Sequence, residues 1–421
     1  MAQAPPPARR ATNDLLNRER ARAVMAAADL DGLVATTPEN VTYVTGYDSW
    51  TIYTFSELRA FGVLSRSGER ALVAPVDALD YVAQRAIGDC RLYAYGTFHL
   101  ERRPGAALDG AEARLVELRA EAVPAPTASA ALELALADLR LAGGRVGVDE
   151  AGLPGPRWAE LSAGLPGRGA ACPASGSLRS IRSVKTGAEV ERLRHAARVT
   201  TAAIVDAIGS AGPGTLETEI EREIRLAMVR GGVTPNHCET SAGTRGSACF
   251  PPSDRSALRP GDVIRSDCGG RYRAYWADTG RTGVLGEPPP PLERCHHAVR
   301  AGIDAMLAAI RPGLPVAELA DLAVATVRAN GIPRYRRHHV GHGIGLEMYE
   351  APLLVGSDGS RDVHGADDPV TVLAEGMVIN VELPYYELGL GGVQIEETVV
   401  VRADGPEVLN DASRALVHCA G

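Results

Sequence analysis

The sequence predicts an α/β (α+β) protein of two domains, the second of which repeats its own plan. Three observations carry that prediction. The chain has 421 residues, more than one hydrophobic core usually organises. Helical and extended patterns alternate from about Leu15 to Leu165. From Thr186 onward a helix, helix, strand order occurs twice, about a hundred residues apart.

In the first domain, Ala21–Ala28 has helical spacing and Gly32–Ala35 begins a strand. Phe61–Leu64 and Arg70–Ala74 frame a turn at SRSGE, the pattern of a hairpin. Ala130–Leu141 reads as an alanine- and leucine-rich helix, and Arg145–Val148 as a buried strand. This half contains no phosphate loop, nucleophile elbow or metal-ligand spacing, so its expected role is structural, or that of a wall to a neighbouring site. The opening MAQAPPPARRAT is proline-rich and polar, and residues 1–12 are expected to form a disordered tail. The proline- and glycine-rich stretch Gly152–Gly176 marks the passage between domains, which we place at 13–165 and 186–421 with a linker at 166–185.

The second domain opens on Thr186-Gly-Ala-Glu189, the pattern of a capping box. Val190, Leu193, Ala197, Ile204 and Ile208 follow at helical spacing, and Ile220, Ile224 and Met228 mark a second helix that stops at Gly231-Gly232. Val299, Ile303, Met306 and Ile310, then Leu319, Leu322 and Val327 before Asn330-Gly331, repeat the scheme. Two related halves facing one another across a sheet would leave a cleft, a common place for a site.

Composition bounds what such a site serves. Apolar residues make up 45% of the chain, yet no run reaches the length of a bilayer span and Met1–Leu15 lacks a signal peptide's apolar stretch. The default is a cytoplasmic protein with no membrane partner. Seven cysteines, odd in number and without CxxC spacing, indicate neither a disulfide framework nor a zinc knuckle. A net charge of −8 without a long basic run argues against nucleic acid, leaving small molecules as the expected partners.

The polar chemistry collects in two hairpins and a loop. GDVIRSDCGGRYRAYWADTGRT reads as two strands. Pairing about a tip at Tyr272 and Arg273 would set Asp267 opposite Asp278 with Cβ atoms roughly 5 Å apart. Two carboxylates that close need a cation or a shared proton. In MVINVELPYYELGLGGVQIEETVVV, Glu382 and Glu396 are symmetric about Gly389, and Glu382 shares a strand face with Val378 and Asn380. A charge in apolar surroundings is costly unless compensated. Four carboxylates with one imidazole, such as His342, form a hard donor set suited to one or two divalent ions, Mn²⁺ foremost, with Co²⁺, Zn²⁺ and Fe²⁺ as alternatives. Two such ions about 3.5 to 4 Å apart would lower the pKa of a shared water and polarise a carbonyl.

Asp267-x-Gly269, Asp278 with Arg281-Thr282, His338-x-x-Gly341-His342-Gly343-x-Gly345, Glu382-x-Pro384 and Gly392-Val393-x-Ile395-Glu396 stand in an order and spacing that resembles the pita-bread metallohydrolases. These include Xaa-Pro aminopeptidases, prolidase, methionine aminopeptidase and creatinase. Asn40–Tyr47, NVTYVTGY, is similar to a short segment of prolidase relatives, which extends the likeness to an amino-terminal creatinase-like α/β domain. The resemblance implies that Asp267, Asp278, His342, Glu382 and Glu396 hold two metal ions, with Glu382 also the general base. It implies that His338 donates a hydrogen bond to substrate or oxyanion, and that the glycines around His342 let a substrate approach. A homodimer acting on small peptides, cleaving the bond before proline by a metal-bridging hydroxide, is the activity it implies.

Three positions depart from the peptidase pattern. Tyr349 stands where a second substrate-binding histidine is usual, Gln394 where an arginine is usual, and Phe250-Pro251-Pro252 where many relatives carry Pro-His. They keep two alternatives open: a hydrolase or lyase of a cyclic amide or guanidino metabolite, and a non-catalytic binding protein. Among the remaining residues, His339 is expected to face away, because side chains alternate on an extended segment. His237 reads first as an ordinary histidine, with the cleft within reach as the other reading. His296-His297 fits a helix without chemistry, and Tyr275 and Trp276 fit hairpin packing. Glu350 and Glu397 read equally as solvated carboxylates or as partners of ligands.

Overall fold

A computed structural model describes residues 14–55, 60–85, 87, 89–122, 124–164, 171–357 and 370–420. The chain divides into two compact units, Met1–Ile181 and Arg182–Gly421. The tail expected at 1–12 lies outside the described residues.

In the first unit a six-stranded mixed sheet is ordered Arg91–Tyr95, Arg70–Pro75, Phe61–Ser65, Gly32–Ala35, Val146–Val148, Cys172–Pro173. The hairpin around SRSGE pairs antiparallel, Phe61 with Val73 through Leu64 with Arg70. Val34, Val63, Val73 and Val148 pack against Leu132 and Leu136 of the Ala128–Asp138 helix to make its core. Asn40–Tyr47 proves to be a structural tie. Thr37 caps the helix Pro38–Thr45, Gly46 closes it in a left-handed conformation at φ 76°, and Asn40 Nδ2 donates to the fully buried Asp149 at 2.8 Å.

The interval expected as linker is mostly ordered structure. Gly155–Gly164 and Ser175–Arg182 are helices, and Cys172–Pro173 pairs parallel to Val146–Val148 at the sheet edge. Pro156 falls within the first turn of its helix, where proline is tolerated because that N–H has no partner to lose. A proline-glycine composition therefore marked a helix start rather than a flexible passage. The units part after Ile181 instead.

The second unit has the duplicated plan. Helices Gly187–Gly209 and Glu217–Arg230 precede strands Thr234–Ala242, Val263–Tyr272 and Tyr275–Val284. Helices Pro290–Ala309 and Val316–Ala329 precede a five-stranded sheet ordered Glu350–Leu353, Gly341–Gly343, Val378–Glu382, Glu396–Arg402, Gly405–Val408. The capping box is formed, with Glu189 Oε2 accepting from Thr186 N at 2.7 Å and Thr186 Oγ1 accepting from Glu189 N at 3.4 Å. Each half has its own core. Ile204, Ile208, Ile224 and Met228 bury Cys238 and Cys268 in the first, and Ile303, Met306, Leu319 and Val327 bury Ile379, Val381 and Val399 in the second.

Candidate metal centre

The opposite faces of those two sheets carry the polar residues, and two glycines let them meet. In the first sheet, register places His237 beside Gly269 and Gly269 beside Asp278, while Glu239 lies beside Asp267 and Asp267 beside Gly280. Directly paired residues share a face, so His237, Glu239, Asp267 and Asp278 all point one way. Asp267 and Asp278 are diagonal neighbours, not opposite partners as expected. The reason is the turn: Arg273 and Ala274 form a two-residue tip at φ 47° and 73°, which moves the pairing along from a tip at Tyr272 and Arg273.

A Cβ on Gly280 would stand 2.6 Å from Gln394 Cγ and 2.9 Å from Glu396 Cγ. The missing side chain is therefore the gap through which the second sheet reaches the first. In that sheet Glu382 pairs directly with Glu396 across the strands, as their symmetry about Gly389 predicted. Asp267, Asp278 and Glu396 bring carboxylate oxygens within 4.8 Å of one another. His342 adds Nε2 at 3.3 Å from Asp278 Oδ2. Its other nitrogen, Nδ1, lies 2.9 Å from the Gly343 carbonyl. Donation there fixes Nδ1 as an N–H and turns Nε2 to the carboxylates.

Gln394 is fully buried between the acidic groups, its Nε2 donating to Asp267 Oδ2 at 2.9 Å and Glu396 Oε1 at 2.6 Å. Its Oε1 accepts from Arg265 Nη1 at 2.7 Å. Arg265 is itself buried and anchored to the carbonyls of Ala248 and Cys249. Positive charge thus reaches the cluster through the amide at the position where an arginine was expected.

Beside Glu382 the structure corrects the orientation expected of His339. His339 is buried with Nδ1 at 2.9 Å from Glu382 Oε1, whereas His338 is exposed. The alternation argument fails because residues 336–340 are irregular backbone, not a strand. Arg337 Nη2 stands 3.6 Å from the same Glu382 oxygen. A cavity of ≈ 830 Å³ is lined by this segment and the Val316–Ala329 helix, with Arg328, Arg337, His338 and His339 among its walls, but none of the five expected ligands lines it. Tyr349 stacks its ring on His342, centroids 3.8 Å apart at 16°, and remains 38% exposed.

The glycines around His342 serve backbone packing rather than the approach of a substrate. A Cβ on Gly341, at φ 144°, would lie 2.1 Å from Asn380 O, and one on Gly343 would lie 2.3 Å from Ala351 O. Gly345 makes room for the Glu350 carboxylate. Glu350 is buried and paired with Lys185 Nζ at 2.9 Å and Arg182 at 3.3 Å, and Glu397 is buried and paired with Arg281 Nη2 at 2.9 Å. Neither is a solvated carboxylate. His237 was the residue least legible in the sequence. Its Nε2 lies 3.5 Å from Asp267 Oδ1 and 3.3 Å from Asp278 Oδ1.

Burial first, then the charges of Asp267, Asp278 and Glu382, pushes the Glu396 carboxyl well above its ordinary range. Burial acts in the same direction on Asp278, but His237 and His342 overcome it and hold that carboxyl low. Burial lowers His237, yet Asp267 and Asp278 outweigh it and push the imidazole up to about 11. The cluster therefore binds positive charge strongly. His342 Nε2 and Glu382 Oε1 are buried without an aligned hydrogen bond among the described residues. Buried nitrogen and oxygen atoms that face charged neighbours without completing a hydrogen bond, set around clustered carboxylates, fit the donor set of divalent ions.

Paired halves that set carboxylates and an imidazole between two sheets define a pita-bread unit, here preceded by a creatinase-type α/β domain. The model of metallopeptidase family M24 matches residues 191–403, just over half the chain, and that of the creatinase/prolidase N-terminal domain matches residues 17–184. The chain belongs to metallopeptidase family M24. An Xaa-Pro dipeptidase from Pyrococcus furiosus is 29% identical over 242 residues, 57% of this chain and 66% of that protein. One from Pyrococcus horikoshii is 27% identical over the same shares. The match thus spans just under two thirds of these relatives' length. The solved structure of an Xaa-Pro dipeptidase from Bacillus anthracis superposes with a TM-score of 0.74 at 21% identity, covering 95% of this chain and 98% of that one. No described helix is long and apolar enough to cross a membrane.

Proposed function

We propose that the chain is a metal-dependent hydrolase that cleaves Xaa-Pro dipeptides at the bond before proline. The observation that carries this reading is the meeting of Asp267, Asp278, Glu382, Glu396 and His342, with His342 Nε2 and Glu382 Oε1 buried and completing no hydrogen bond among the described residues. The dipeptidase names of the Pyrococcus relatives support the substrate. Two divalent ions held by those five side chains, manganese foremost, would supply Lewis acidity for the scissile carbonyl and acidify the attacking water.

The chain's own residues do the rest. Glu382 receives the proton of the attacking water at Oε1 and returns it to the leaving amine. His339, 2.9 Å from that oxygen, holds the carboxylate in place. Arg337, whose Nη2 stands 3.6 Å from that oxygen, and His338 next to it in the chain meet the peptide's free carboxylate. Tyr349 covers His342 and closes one side against water. A homodimer in the cytoplasm is the working form this reading carries, and light scattering tests the assembly: the mass of two chains is the expected result and the mass of one chain overturns it.

The test is a panel assay. The purified protein, loaded with Mn²⁺, is offered Xaa-Pro dipeptides beside Xaa-Ala dipeptides, cyclic amides and guanidino compounds. Proline release that chelator abolishes and Mn²⁺ restores is the expected result. Turnover of a non-peptide amide with no proline released from any dipeptide overturns the reading.

A further inference from the structure

His237 stands in a cross-strand row with Gly269 and Asp278. In an ordinary sheet, residues two strands apart are separated by about twice the strand spacing of roughly 4.8 Å. Here they meet because the middle residue has no side chain: a Cβ on Gly269 would lie 2.2 Å from His237 Cε1. A register shift between Pro235 and His237 precedes the row. Bulges of this kind re-aim side chains and are common beside active sites. The imidazole thus crosses the gap and presents Nε2 to Asp267 Oδ1 at 3.5 Å and Asp278 Oδ1 at 3.3 Å.

His342 does the same from the other side, with Nε2 3.3 Å from Asp278 Oδ2. Asp278 therefore has one imidazole nitrogen at each of its oxygens. Neighbouring donors on an ion bound at about 2.1 Å stand about 3 Å apart, so both nitrogens sit at the spacing of atoms that share an ion with a carboxylate oxygen. Nδ1 of His237 is buried and makes no hydrogen bond among the described residues, so no partner ties the ring to a structural role. Glu239, beside Asp267 in the adjacent row, brings a carboxylate oxygen within 4.8 Å of His237 and Asp267.

We propose that His237 is a sixth protein ligand, bound through Nε2 to the ion held by Asp267 and Asp278 Oδ1, as His342 is to the ion on Asp278 Oδ2. The inference rests on the two-ion reading and adds to it: each ion has one imidazole. Nitrogen on both ions shifts preference toward Co²⁺, Zn²⁺ and Fe²⁺ relative to an all-oxygen site, since imidazole suits those metals better than Mn²⁺.

Calorimetric titration of the metal-free full chain with Co²⁺ tests it, comparing wild type, His237→Ala and His237→Asp. Wild type is expected to bind two ions. His237→Ala is expected to keep one at unchanged affinity and to weaken the other by more than the roughly 10- to 100-fold that loss of an orienting partner costs. His237→Asp is expected to recover much of that loss. Two ions bound equally well by His237→Ala overturn the inference and leave the hydrolase reading standing. One ion in wild type and two in His237→Ala also overturn it, because the imidazolium then occupies an ion's place. No ion bound by wild type overturns both readings. Should His237→Ala fail to fold, the wild type still decides. With histidine Cε1 labelled with ¹³C and the protein loaded with Co²⁺, two of the ten histidine signals are expected to show the displacement of directly ligated rings, and one such signal overturns the inference.

Discussion

Gln394 is the residue on which the cluster's charge balance turns. A glutamine between two carboxylates is neutral, yet its amide hydrogens go to Asp267 and Glu396 while its oxygen takes Arg265. The guanidinium therefore acts on the site at one remove. Gln394→Leu removes both donors and leaves Arg265 Nη1 buried without its acceptor. The expected loss is roughly 1 to 3 kcal/mol of stability, the penalty for an unsatisfied buried group, read as a lower urea midpoint at unchanged slope. Metal affinity is expected to fall roughly 10- to 100-fold in the same variant, since ligand orientation goes with the donors. How much of this scale the sequence revealed depends on backbone regularity. Glu382 and Glu396 were legible because two regular strands flank a symmetric turn. His339 was turned the wrong way because residues 336–340 follow no strand geometry. His237 was legible only in its alternation, with Glu239 and Ser241, against Cys238, Thr240 and Ala242, which puts it on the face opposite the core-facing Cys238.

At the scale of elements, the strand Tyr275–Val284 is the joint between the halves. Arg281 donates to the Glu396 carbonyl and to Glu397, and the Thr282 hydroxyl bonds both the N–H and the carbonyl of Gln394. Gly280 between Asp278 and these two is the gap that lets Gln394 and Glu396 reach in. Gly280→Ala is expected to push both side chains back while the pairing with Val263–Tyr272 persists. Ion binding should then drop far more than thermal stability, measured by titration and by unfolding temperature on one preparation. A fall in both to the same degree would mean the glycine serves packing alone. The hairpin itself was predictable from its alternation, but its register was not. The two-residue tip uses Arg273 and Ala274 in the left-handed region rather than Asn-Gly, so the usual hairpin signal was missing. The missed helices between Gly155 and Arg182 have the same origin, since proline and glycine mark helix starts as well as loops.

At the scale of the folded unit, two buried groups outside the ligand set make opposite demands on pH. His296 lies in the Pro290–Ala309 helix with Nε2 buried and without a partner among the described residues. Burial first, then Arg300 and His297, lowers its pKa from 6.5 to about 4. As the pH falls through that interval the unfolded chain takes up a proton that the folded chain refuses, so stability declines with acidification from 6.5 to 4. Glu189, buried at the capping box, behaves oppositely. Burial lifts its pKa from 4.5 to about 7, against the pull of Thr186, Lys185 and Tyr275. The folded state holds a proton that the unfolded state releases, so stability declines as pH rises from 4.5 to 7. The two effects overlap and largely cancel in the wild type, which conceals both. His296→Leu, which keeps the apolar surface of its helix, removes one of them. The stability of wild type minus that of His296→Leu is expected to rise by up to about 3 kcal/mol between pH 4 and 6.5, at 1.36 kcal/mol per pKa unit. Denaturant unfolding of both proteins across that range measures the difference, and the variant alone should lose stability as the pH climbs from 4.5 to 7. A difference independent of pH would show that His296 reaches water and titrates as an exposed histidine does.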